Sequence, residues 1–86
     1  MKELEKVFIG RGEVKGFTFT QIKQNEKAFL YEVKDEFGSI HYEIFKRVEN
    51  IKYGCISYPK SKSFGRWAWT CKTLDRGIEK FNELSA

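Results

Sequence analysis

The chain is short of most things that identify a protein quickly. Its 86 residues include one proline, one histidine and two cysteines, and no apolar run approaches the roughly 18 residues that a membrane helix needs. The absence of such a run excludes a spanning helix. Met1-Lys2-Glu3-Leu4-Glu5-Lys6 lacks the apolar core of a secretory signal, so a cytoplasmic protein with no membrane partner is expected. Cys55 and Cys71 are too few for a disulfide scaffold and are expected as free thiols. With His41 they show no C-x-x-C or H-x-x-x-H spacing, and a zinc site needs about four ligands, so no metal site is expected. A lone histidine with no sequence tie to either thiol gives no nucleophile and base pair, so neither catalysis nor a cofactor is expected. Gly10-Arg11-Gly12 lacks the further glycine and the strand-to-helix context of a phosphate loop, and reads as a break between a charged lead-in, Met1 to Gly12, and the domain.

What is present is aromatic and basic. Aromatic residues make up 16% of the chain, enough to give a single small domain a core, since each can bury roughly 150–250 Å². The net charge of +4 is unevenly placed. Residues 45–72 hold seven basic groups against Glu49 alone, a local excess of +6, whereas the segments on either side are each at −1. Such a patch bears on anionic partners, not on fold.

The periodicity predicts an α+β fold: a four- to five-stranded antiparallel meander with one C-terminal helix packed on one face. Val14 to Gln24 sets Phe17 and Phe19 against Thr18 and Thr20, with a bulge expected at Gly16. Ala28 to Lys34 sets Phe29, Tyr31 and Val33 against Leu30, Glu32 and Lys34, and Ile40 to Val48 sets Ile40, Tyr42 and Ile44 against His41, Glu43, Phe45 and Arg47. Short polar turns, one with Gly38, join them. Val7-Phe8-Ile9 fits either a short edge strand or a packing tail. Glu49 to Gly65 is the longest irregular stretch, either functional or a solvated connector, with a further short strand at Cys55 to Tyr58 before Pro59. Arg66 to Thr73 carries Trp67, Trp69 and Cys71 on one face, and Thr73 caps a helix whose stripe is Leu74, Ile78, Phe81 and Leu84.

On this pattern the core is Phe17, Phe19, Phe29, Tyr31, Val33, Tyr42, Ile44, Trp67, Trp69, Leu74, Ile78 and Phe81. The outer face then carries Thr18, Thr20, Leu30, Lys34, His41, Phe45, Arg47, Arg66, Thr70 and Lys72, with His41 solvated. Single-stranded nucleic acid is held by a positive groove and by aromatic faces on which bases stack. The expected function is therefore non-enzymatic binding of single-stranded DNA or RNA, or another polyanion. Lys46, Arg47, Lys60, Lys62, Arg66 and Lys72 would hold the backbone, and Phe45, Tyr58 and Phe64 would supply stacking. Glu32 and Glu43 at the centre of that face oppose this. Trp67 and Trp69 are commoner as core than as ligand contacts. The alternative is a protein-interaction or homodimerisation domain using the open face, or an edge strand at Val14 to Gln24 or Arg66 to Thr73.

Four strands followed by a helix, over Val14 to Leu84, resembles the Pur-alpha type of repeat in architecture, without a diagnostic motif. That resemblance implies single-stranded nucleic-acid binding on the sheet. Gly65-Arg66-Trp67 followed by Leu74 to Leu84 is similar to the end of a WGR module, with Trp, Gly and Arg in a different order. Neither assigns a role to any residue here.

Overall fold

The turns fix the sheet. In the computed structural model, which describes Met1–Ala86, Asp35 Oδ1 accepts from the backbone N–H groups of Phe37 and Ser39, both at 2.9 Å. This side-chain turn sets the register of β3 (Ala28–Lys34) against β4 (Ile40–Lys46). Asn25 Oδ1 does the same for β2 (Thr18–Gln24) and β3, accepting from Lys27 and Ala28 at 2.8 and 2.9 Å. Val7–Ile9 is an edge strand, β1, on the far side of β2, and β7 (Ala68–Cys71) pairs with β4. The result is a five-stranded antiparallel sheet in the order β1-β2-β3-β4-β7 with one C-terminal helix against it, as the periodicity predicts. No helix is long and apolar enough to cross a membrane.

Helix α1 (Leu74–Ser85) starts where Thr73 Oγ1 accepts from Arg76 N at 3.3 Å, with Asp75 in the first turn. It covers β3, β4 and β7. Phe81 meets Ala28, Leu30 and Ile44, and Tyr42, Cys71, Ile78 and Leu84 pack around them. The helix approaches closely at Gly77, where an added Cβ would lie 3.0 Å from Leu30 Cδ1. Lys80 lies over the Trp69 ring at 4.2 Å on this side. Leu74, expected in the core, is 39% exposed at the helix start.

The opposite face is also covered, and this corrects the expected core. Phe29 pairs with Phe45, not with Ile44, so Phe29, Tyr31, Val33 and Phe45 share one face with Phe19 and Ala68. Ile44 and Leu30 share the other, beneath the helix. Leu30 and Phe45, both expected outward, are fully buried. Phe8 on β1 extends this face beside Phe19, and the lid over it comes from Leu4 of the N-terminal segment and from the 47–67 region (Ile56, Tyr58, Phe64, Trp67). Each completely buried aromatic side chain contributes about 1.5–3 kcal/mol by leaving water.

Other differences are local. The irregularity in β2 falls between Gln21 and Lys23 rather than at Gly16, and β2 is not an edge because β1 pairs with it. The stretch Glu49 to Gly65 is folded: β5 (Glu49–Asn50) pairs with β6 (Cys55–Ile56), and a single 3-10 turn spans Ser61–Ser63. Gly65, at φ 87°, turns the chain before β7. Trp67 therefore precedes the strand and joins the aromatic core, edge-on to Phe45 at 6.3 Å, on the opposite side of the sheet from Trp69.

Gly77 tests the helix contact. Gly77→Leu should lower unfolding free energy by about 1–3 kcal/mol through overpacking against Leu30. Asn82→Ala, exposed on the same helix, should change it by no more than about 0.5 kcal/mol. Urea denaturation of both variants measures the difference.

Candidate functional site

The nine residues expected to bind a polyanion do not form one surface. Phe45 is buried, so no base can stack on it. Arg47 is engaged throughout: Nη1 donates to Glu3 Oε1 and Oε2 at 2.7 and 2.8 Å, and Nη2 donates to Gln24 Oε1 at 2.6 Å. Nε and Nη2 both donate to Asn25 O, and the guanidinium lies 4.6 Å from the Phe29 ring centroid. It clamps the N-terminal segment to the sheet. Tyr58 lies in the aromatic core, edge-on to Phe45 at 4.8 Å, and Phe64 is half-buried against the same core.

Lys46, Lys60, Lys62, Arg66 and Lys72 are exposed and form no ion pair. Topology separates them. Lys46 N donates to Trp67 O at 2.9 Å and Arg66 N to Ser63 O at 3.0 Å, which gathers Lys46, Lys62 and Arg66 near half-buried Trp67. Lys72 follows the other end of β7, beyond the Cys71–Tyr42 pair. Lys60 lies elsewhere again, on the rim of a groove.

That groove is the principal concavity of the molecule, 1180 Å³ in volume, between the N-terminal segment and residues 53–64. It exists because two separate stretches cover the aromatic face without closing over it. Lys2 pairs in parallel with Cys55, with Lys2 N donating to Gly54 O and Ile56 N to Lys2 O, both at 2.8 Å, and this fixes one end. Phe8, Phe19, Ile56, Tyr58 and Phe64 give an apolar lining. Lys2, Arg11 and Lys60 stand among Glu3, Glu5 and Glu13 around it, a rim of both signs.

One carboxylate lies deeper. Glu43 sits between His41 and Phe45 on β4, which turns its side chain to the aromatic face, where only 13% of it is exposed. Tyr58 Oη donates to Glu43 Oε1 at 2.6 Å, and the His41 imidazole approaches Oε2 with Nε2 at 3.0 Å. Burial, and then the adjacent Glu43 charge, push the Tyr58 hydroxyl well above the ordinary tyrosine range, so it stays a neutral donor. No lysine or arginine nitrogen lies within 4.0 Å of this carboxylate. His41, expected to be only solvated, is thus tied to the site. Sequence reasoning missed Glu43 as a site residue. Its signal was a carboxylate in the alternation His41, Glu43, Phe45, on the face that carries the largest aromatic residues of the neighbouring strand.

Both thiols are free, on different elements. Burial raises the Cys71 thiol. In comparisons with known proteins, no family model, curated protein or solved structure matches this chain.

The Tyr58–Glu43 bond has a measurable worth. Tyr58→Phe keeps the ring and leaves Oε1 without its donor, so unfolding free energy should fall by about 1–3 kcal/mol. In a double-mutant cycle with Glu43→Gln the losses should be less than additive. Chemical denaturation of the four proteins checks both.

Proposed function

We propose that the chain is a non-enzymatic protein-interaction module that takes an extended segment of a partner protein along the groove. The groove carries this reading. At 1180 Å³ it exceeds the roughly 300–1,000 Å³ typical of small-molecule sites, and it is apolar within and of mixed charge at its rim. A strand of phosphates would meet Glu5, Glu13 and Glu43 there, whereas a peptide can match both signs.

The edge of the sheet supports the same reading. Gln21 N donates to Lys6 O and Gly10 N to Phe17 O, so alternate residues of β1 turn their backbone groups toward β2. In that register the N–H and C=O of Val7 and Ile9 point outward, free to accept an added strand. Ile9 also lines the groove, and Val7 and Ile9 are 58% and 61% exposed. A reducing compartment such as the cytoplasm suits the two free thiols.

A second reading keeps the polyanion. Lys46, Lys62 and Arg66 near Trp67 carry no neutralising carboxylate and favour phosphate contact at that end of the sheet. Its test is binding of a mixed-sequence single-stranded oligonucleotide at two salt concentrations, with the triple alanine variant at those positions expected to weaken both the affinity and its salt dependence.

The groove reading is tested by selecting hexapeptides from a display library and titrating the selected peptide into 15N-labelled protein. Amide shifts should concentrate at Val7–Gly10 and at residues 53–64. Ile9→Pro, which removes one outward N–H at an edge position, should weaken binding by about three- to tenfold. Shifts confined to other surfaces would overturn the reading.

A further inference from the structure

We infer that the groove selects a basic side chain, with Glu43 receiving the ammonium or guanidinium of a lysine or arginine in the partner segment. This rests on the groove as the binding site and adds the chemistry that chooses its occupant.

The argument starts from charge balance. Two carboxylates on the groove lining have defined partners, and they are treated differently. Glu3 is neutralised by the Arg47 fork at 2.7 Å. Glu43, the less exposed of the two, has no lysine or arginine beside it and is held only by a phenol and an imidazole. A carboxylate withdrawn from water with an imidazole as its one basic neighbour is incompletely compensated, and it attracts a cation more strongly than an exposed one does.

Its hydrogen-bonding capacity is also unfilled. The two oxygens of a carboxylate offer about four lone-pair sites. Tyr58 occupies one on Oε1 and His41 one on Oε2, so each oxygen retains capacity for a further donor. Those two bonds fix the carboxylate in place before any partner arrives, which lowers the ordering cost of binding.

The approach suits the stem of such a side chain. Phe8, Phe19, Tyr58 and Phe64 line the path to Glu43, and an aliphatic lysine or arginine stem packs on apolar walls while its head reaches a polar group. Aromatic faces near a cation add to the attraction. The protein already sets a cation over an aromatic ring elsewhere, with Arg47 over Phe29 and Lys80 over Trp69. An acidic segment would meet Glu43 at the floor and be rejected.

The experiment uses the full chain and a positional-scanning set of N-acetylated, C-amidated hexapeptides in which one position at a time is Lys, Arg, norleucine or Glu. Affinities are read by fluorescence anisotropy for the wild type, Glu43→Gln, Ile9→Pro and, as a charge-matched control on the opposite face of the sheet, Glu32→Gln. At one position, Lys or Arg should bind about tenfold or more tightly than norleucine, as for a charge-assisted hydrogen bond. That preference should vanish in Glu43→Gln and persist in Glu32→Gln. Binding that weakens in Ile9→Pro but shows no basic preference, or a preference that survives Glu43→Gln, overturns this inference and leaves the groove reading standing. No binding by any peptide overturns both. If Glu43→Gln does not fold, the Glu43 carboxyl 13C resonance of the wild type decides: it should shift with a lysine peptide and not with its norleucine counterpart, and equal response to the two overturns the inference.

Discussion

The structure depends on covering β3 on both sides. Ala28 and Leu30 face the helix, Phe29, Tyr31 and Val33 face the aromatic lid, and all five are buried. A chain of this size has little surface to spare for burial, and doubling the use of one sheet is how it assembles a core. The helix side is a conventional amphipathic contact made by one continuous element. The lid is built from two pieces far apart in sequence, and polar pins hold those pieces down. Arg47 reaches Glu3, Tyr31 donates to Glu5 O at 2.6 Å, and Lys2 joins the short β5–β6 hairpin. Each pin fixes the backbone or side chain of the first five residues, so the N-terminal segment is part of the domain and not an appendage to it.

Because the lid has two pieces, the groove is the seam between them. The same fact explains the fate of the basic stretch. Residues that follow one another between Phe45 and Lys72 pass through a strand, a hairpin, a 3-10 turn and another strand. Antiparallel return separates neighbours in sequence and juxtaposes distant ones. Lys46 and Arg66 come together because β4 and β7 pair there, whereas Lys72 is carried to the other end. A count of charge along the chain cannot represent that. Arg47 illustrates the point further, since the residue best suited to phosphate is consumed in tying down the N-terminus.

The fold was legible because alternation with period two and a capped amphipathic helix are local signals. Thr73, Asp75, Ile78 and Phe81 specify the helix without reference to anything else. Which face of each strand joins which face of the next is not local. It depends on the register set by the five residues from Asp35 to Ser39, and a one-residue change exchanges every side chain between faces. That is why the alternation alone points Phe45 and Leu30 outward, where the structure buries both. A usable clue lay in Ala28-Phe29-Leu30-Tyr31, a continuous apolar run that fits a strand buried on both sides better than an exposed face. The alternation sets Trp67 and Trp69 on one face, and the structure parts them for a related reason. The positive φ of Gly65 ends the alternation before β7 begins. The groove was illegible altogether, because its walls meet only after β1, β6 and β4 have been assembled.

The seam and the carboxylate belong together. Glu43 could be accommodated under a sealed lid only with a cation beside it, because an uncompensated buried charge costs several kcal/mol. Its one basic neighbour is the His41 imidazole at 3.0 Å, since Arg47 is committed to Glu3 and the rim lysines and arginine form no ion pair with it. An opening to water relieves that cost, and Tyr58 and His41 satisfy part of the remaining demand. An apolar residue at this position, flanked by Phe45 and opposite Tyr31, would extend the aromatic core and favour closure. The chain instead keeps a fixed negative charge at the floor of the groove. Stability alone does not favour that choice, which is why Glu43 is the residue on which a functional account of this fold turns.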